Sequence, residues 1–294
     1  MLKIMEIAES HVIIWGIAFM KKLLSFLLFL IAAFGLSPTA IAAVDASVMT
    51  DDEYERYVVE LYGEPLGYTL PDEVAEICSG FEWIVLRDTN RERLAAGAAP
   101  LTVFASIQRA ADTRSKELLI SYSHFRPDGS IPTTVFKESG MSIVDIMTGS
   151  ELCAASFPSA TVQAWMNSNK HRNALLSKAY VHSGVGVHKN PMERKYYEIQ
   201  LLLPEREKQS DLSFLLPPSM VFPTGTSIDT MGIVIKIRCP IHGDCYTPLL
   251  KEMCTGYDPA KNGRQTVTAK YEYAFQGGAK ESLTGAFTVY IADK

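Results

Sequence analysis

His124 and His171 are the first candidates for chemistry, because neutral imidazoles bind divalent ions and move protons near neutral pH. His124 sits in Ser123-His124-Phe125-Arg126-Pro127-Asp128-Gly129, where Pro127 and Asp128-Gly129 supply the bends of a loop. His171 lies late in a helical stretch, and spacing alone ties neither histidine to the other. Cys153 raises the possibility of a Cys–His nucleophile, which needs a base or a cation within hydrogen-bond reach. Burial of Cys153, or a disulfide to Cys78, is the plainer expectation. Farther on, Cys239, His242, Cys245 and Cys254 read C-x2-H-x2-C-x8-C, spacing that suits a structural zinc knuckle or, in an exported chain, disulfide formation. Ser123, Ser168 and Ser183 lack the G-x-S-x-G elbow of serine hydrolases. A P-loop, a G-x-G-x-x-G turn and an H-E-x-x-H helix are also missing, so nucleotide enzymes and ordinary zincins find no support.

The compartment follows from the start of the chain. Two lysines after Met20 precede an apolar run from Leu23 to Leu36, followed by Ala40-Ile41-Ala42, which predicts a secretory signal peptide. Fourteen helical residues reach ~21 Å, short of a hydrocarbon core of ~30 Å. Glu6 and Glu9 are awkward ahead of such a signal, so residues 1–42 are expected to be a signal peptide with a mis-assigned start, the true start being Met20. A secreted or periplasmic protein with no membrane anchor after signal cleavage is expected. Its five cysteines leave at least one outside any internal disulfide.

The 294 residues are 47% hydrophobic and 21% charged, the composition of a folded chain, and carry a net charge of -5 with no basic block. Nucleic acid is therefore not an expected partner. Residues 43–71 read as a lead-in. Val74, Ile77, Phe81, Ile84 and Val85 have helical spacing, predicting a helix from about Asp72 that ends by Gly97. A second helix is predicted from about Leu101 to Ile120, with Ile107, Ala110, Ala111, Arg114 and Leu118 on one face, and a third over 159–176. Val181–His188 and Tyr196–Leu203 alternate as a β-hairpin, and Gly184 and Gly186 mark close approach of another backbone. Four prolines between Pro204 and Pro223 and the patch Glu205-Arg206-Glu207-Lys208 predict a Pro-rich linker over 205–223. Beyond it, alternation through Ile233, Ile235, Ile237 and Cys239, then Val267 to Phe275, then Phe287 to Ile291, predicts a small all-β, Ig-like sandwich over 224–294.

Several motifs occur in a telling order: Asn90-x-x-Arg93 with Pro100-Leu101, Ser121-Tyr122-Ser123-His124, Gly149-Ser150-Glu151, the segment from Trp165 to His171, and His182-Ser183-Gly184-Val185-Gly186 before the paired tyrosines. In this order the chain resembles the bacterial branch of the CAP superfamily, or SCP domain, over about 75–203. The resemblance implies an α+β fold, with a three-layer α-β-α sandwich over 72–204. It also implies a cleft lined by two histidines and one or two glutamates. His124, Glu151 and His171 are the residues similar to that set, and the expected ion is Zn2+ or another divalent cation. Members with a second glutamate carry it three residues after the tryptophan, where this chain has Ser168. Leu152 likewise replaces a polar Asn after the first glutamate. Glu138 is an open candidate for the missing acid.

Two functions follow as expectations. One is a secreted binding module whose His/Glu cleft takes a divalent metal and a small or lipid-like ligand, with an extracellular or cell-surface partner. The alternative is a metal-dependent extracellular peptidase or esterase using His124, Glu151 and His171, with Glu151 as ligand or base.

Overall fold

The computed structural model describes residues 66–293 except 157, 191–194 and 276–278; the expected signal peptide, the start at Met20 and most of the lead-in lie outside these residues. Ser79 divides the first predicted helix. Its hydroxyl accepts from the Glu82 N–H while Glu82 Oε2 accepts from the Ser79 N–H at 2.7 Å. This capping box starts a new helix, giving α1 (Asp72–Ala75) and α2 (Gly80–Ala95). The next helix, α3 (Ala105–Ile120), begins later than its periodicity suggested. Leu101 to Val103 are extended instead, because Thr102 bridges to His182 and Val103 to Tyr246. Two short helices, α4 (Val135–Glu138) and α5 (Ile143–Thr148), precede β1 (Ser150–Ser156). The third predicted helix is broken at Ser168 into α6 (Pro158–Asn167) and α7 (Asn169–Leu175).

The predicted hairpin forms as β2 (His182–Asn190) and β3 (Lys195–Leu203), and β1 pairs antiparallel with the far side of β3. Register places Glu151 and Cys153 opposite Leu201 and Ile199, which in turn lie opposite Gly184 and Gly186. Directly opposed residues share a face, and α3 covers this one. A Cβ on Gly184 would lie 2.3 Å from the Ile107 carbonyl oxygen, and one on Gly186 2.2 Å from that of Ala111. The two glycines let helix and strand backbones meet, as their place in the hairpin suggested. The opposite face receives α2, where Thr89 donates to Gln200, and α6, where Thr161 bonds Glu198.

Glu198 is fully buried on that second face, and its Oε1 has no hydrogen-bond partner. Burial pushes its carboxyl up to about 8, against the Ser156 N–H and the Thr161 and Ser156 hydroxyls, which favour the ionised form. The folded state therefore holds a proton that the unfolded chain releases near 4.5. The associated stability is complete below that value and is lost as pH rises through about 8. Glu198→Gln is expected to leave stability nearly unchanged near pH 4.5 and to add up to roughly 5 kcal/mol above pH 8, read as a pH series of urea denaturation curves.

Residues 205–223, expected as a linker, contain β4 (Ser210–Leu215) and β5 (Val221–Pro223). Pro204, Pro217 and Pro218 flank β4 rather than interrupt it, and Pro223 ends β5 at a sheet edge, where a missing N–H is tolerated. β4 joins β6 (Val234–Cys239) and β7 (Gly243–Pro248) in one sheet. β5 joins β10 (Ala279–Ala292), β9 (Gly263–Phe275) and β8 (Cys254–Thr255) in another. The alternation read from sequence is the burial pattern: Ile233, Ile235, Ile237, Val267, Ala269, Tyr271, Phe287, Val289 and Ile291 form one apolar cluster drawn from both sheets. That cluster also holds Val181, and the cluster around α2 and α3 holds Val234, Cys245 and Tyr246. Two backbone hydrogen bonds join Val103 to Tyr246. The N- and C-terminal sheets thus belong to one compact unit, Arg56–Lys294.

Candidate functional site

Three elements carry the sequence-derived residues: the loop after α3 holds His124, β1 holds Glu151, and α7 holds His171. Glu151 is held from beneath by α3. Arg114 donates through Nε to Glu151 Oε2 at 2.7 Å and through Nη2 to Oε1 at 3.3 Å. The same guanidinium donates to the Ser123 carbonyl and to Glu117, and Arg126 on the far side of Glu117 reaches Glu138 at 2.6 Å. Glu138, Arg126, Glu117, Arg114 and Glu151 therefore form a chain of alternating charge leading to His124. Glu138 serves that chain and does not replace the missing second acid of the cleft.

His124 Nδ1 lies 3.0 Å from Glu151 Oε1. A carboxylate only accepts, so Nδ1 carries a proton, and in the neutral form of the ring Nε2 is left with a bare lone pair. The His124 side chain is 56% exposed above a Glu151 side chain that is 1% exposed. His171 lies within electrostatic reach: burial, and then the His124 charge, hold its imidazole below the ordinary histidine value, which favours the neutral, ligating form. The ligand atoms of His124, Glu151 and His171 are not gathered into one compact set. Among the described residues, the three whose ligand atoms all lie within 4.8 Å of one another are His182, Cys239 and His242. His124 and Glu151 are in direct contact, so it is His171 that stands apart.

Cys153 is a poor nucleophile. Its sulfur is 3.9 and 3.8 Å from the two His124 nitrogens, so it lies against the ring rather than in line with either nitrogen. Burial, and then the Glu151 charge, push its thiol up to about 11. Cys78 is elsewhere, donating to Gln108, and all five cysteines are free thiols, so the expected Cys78–Cys153 disulfide does not form. Trp165 is core: it is buried and its indole N–H donates to the Cys153 carbonyl. Grooves of about 430 and 440 Å3, lined by Leu94, Cys254 and Tyr273 and by Tyr257 and Arg264, contain no histidine.

Residues 86–201 match the family model of CAP, the cysteine-rich secretory protein family. The chain carries a CAP domain. The uncharacterised protein YkwD of Bacillus subtilis (strain 168) is 31% identical over 112 residues, 37% of this chain and 42% of that protein. The chain thus spans less than half the length of this curated relative. Two solved structures are similar. An extracellular protein containing an SCP domain from Bacillus anthracis str. Ames is 23% identical, covering 47% of this chain and 45% of that one, with a TM-score of 0.38. The cysteine-rich secretory protein SAV1118 from Staphylococcus aureus is 20% identical, covering 42% and 38%, with a TM-score of 0.36.

The CAP motifs acquire physical roles here. Asn90 donates to the Leu101 carbonyl and accepts from its N–H, pinning the strand that enters α3. Arg93 is fully buried and donates to the carbonyls of Ala99, Leu175, Ser177 and Tyr180, closing the C-terminus of α7 behind His171. Sequence reasoning missed Arg114, although its position on the apolar face of a helix was the signal: a charge buried there needs a partner.

The knuckle Cys239-His242-Cys245-Cys254 is not assembled as spelled. Cys254 sits on β8, paired with β9, and burial pushes its thiol up to about 12. Cys239 and His242 gather instead with His182, from the first position of β2. Glu205, just past β3, is the second residue missed: its Oε2 lies 2.9 Å from His182 Nε2 and 3.3 Å from Cys239 Sγ. Among the described residues, no helix is long and apolar enough to cross a membrane.

Proposed function

We propose that this chain is an exported CAP-domain binding module. His124 Nε2 and His171 present two imidazoles to a divalent cation of the Zn2+ class, and Glu151 acts on His124 rather than on the ion. The observation that carries this reading is the Arg114–Glu151–His124 chain, which fixes one tautomer and leaves the outward nitrogen bare on a half-exposed ring. Ile120, Tyr122, Phe125 and Ile131 stand exposed along the same loop, an apolar border suited to a small or lipid-like ligand or a surface partner. A metal-dependent peptidase or esterase would need a carboxylate free to take a proton from water. Both Glu151 oxygens are engaged and the Cys153 thiol stays protonated, so binding is favoured over turnover.

Calorimetric titration of zinc into the chelator-stripped exported protein tests this. Cys239→Ser is included in every sample so that the second cluster does not contribute. Saturable heat that disappears on adding His124→Ala and His171→Ala is the expected result; equal heats with and without the histidines would refute the cleft as a metal site.

A further inference from the structure

The buried cluster around Glu205 has no part in the cleft. His182 is fully buried at the start of β2, Cys239 ends β6, His242 lies in the β6–β7 turn, and Glu205 bridges to Phe275 of β9. These positions belong to three sheets, and only their side chains meet. The His182 Nε2–H and the Cys239 thiol both point at one oxygen, Glu205 Oε2, so two protons occupy the space between an imidazole, a thiol and a carboxylate.

We propose that this is a structural zinc-class site, with His182 Nε2, Cys239 Sγ, His242 and Glu205 as its four ligands, clamping the C-terminal sheets to the CAP domain. The donor set suits the ion: two neutral imidazoles, one thiolate and one carboxylate supply two negative charges for one dication. Around a tetrahedral ion, nitrogen and oxygen ligands lie ~3.4 Å apart, and sulfur and oxygen ~3.6 Å. The separations of 2.9 and 3.3 Å need to open by a few tenths of an ångström, and the Glu205 carboxylate has to turn toward His242, because the described residues whose ligand atoms already lie within 4.8 Å of one another are His182, Cys239 and His242. Supporting contacts are in place. The Thr102 hydroxyl is 2.7 Å from His182 Nδ1 and accepts its N–H once Nε2 is ligated. Gln209 donates to Glu205 at 2.9 Å, and Phe104 stacks on the His242 ring at 4.2 Å. His242 is the partly exposed member and gives the ion its entry. Binding exchanges the ion for the Cys239 thiol proton, which is released to solvent, while the His182 proton leaves Nε2 and is carried on Nδ1, where the Thr102 hydroxyl accepts it.

Cobalt(II) loading of the full chain, purified from the exported fraction without reductant, tests the site through a signal the His124–His171 cleft lacks. A thiolate-to-cobalt charge-transfer band at one equivalent is expected. It should vanish in Cys239→Ser, weaken in His242→Gln, and persist in Cys254→Ser and in the His124→Ala, His171→Ala double variant. His242→Gln alters a partly exposed turn residue, so it reports on the site even if Cys239→Ser folds poorly. Absence of the band in the folded parent, its persistence in Cys239→Ser, or recovery of Cys239 in a disulfide with Cys245 by mass spectrometry would overturn the proposal.

Discussion

Arg114→Met is expected to cost about 3–5 kcal/mol of stability, the range for removing one partner of a buried ion pair. The guanidinium is fully buried and serves Glu151, Glu117 and the Ser123 carbonyl at once. Its loss strands the Glu151 carboxylate in a site almost closed to water. Adding Glu151→Leu to the Arg114→Met background should recover a large share of the loss, because an apolar pair can replace a buried ionic one. Urea denaturation of the two single variants and the double variant measures the coupling. Additive effects would show that the two side chains do not depend on each other. Arg114→Met should also weaken zinc binding while both histidines remain, since the anchor of the His124 loop and the carboxylate fixing its tautomer would both be disturbed.

Arg93→Met is expected to cost roughly 4 kcal/mol by a different route, the unmade hydrogen bonds of buried carbonyls. Burial pushes the Arg93 guanidinium down to about 10, so it remains charged at neutral pH without an ion-pair partner among the described residues. It faces four carbonyls, two of which, from Leu175 at the last position of α7 and Ser177 just beyond it, would otherwise have no helical donor. Arg93→Lys should restore less than half of the loss, because a single ammonium cannot span acceptors held by a planar fork. Thermal denaturation of the two variants checks this. A lysine variant as stable as the parent would show that charge, rather than the spread of donors, is what matters.

The legible parts of the structure were those whose signal is local. The β2–β3 hairpin followed from its alternation, and Gly184 and Gly186 marked the approach of α3 because a Cβ there has no room. The buried faces of β6, β9 and β10 were likewise written in period-two alternation. The break between α1 and α2 was present as Ser79-x-x-Glu82 but was masked by apolar positions that keep helical phase across it. β1 was hidden because Ser150–Ser156 has no alternation; it is a strand because β3 offers it an edge. In 205–223 the prolines outweighed Leu212 and Phe214, whose packing against the C-terminal cluster makes β4. For the site, family resemblance named His124, Glu151 and His171, and the structure joins His124 to Glu151 directly. The role of Glu151 was not legible, because it depends on Arg114 reaching it from α3. The meeting of His182, Glu205, Cys239 and His242 was equally out of reach, since no local spacing connects a strand of the CAP sheet to a turn in the C-terminal part.

The most direct test of the cleft is long-range proton–nitrogen NMR of the histidine rings at neutral pH, in the Cys239→Ser background, before and after one equivalent of zinc. The account requires His124 to carry its proton on Nδ1 with Nε2 bare, and requires the His124 and His171 ring signals to shift together when zinc is added. A His124 ring protonated at Nε2, or two rings that ignore the ion, would contradict it.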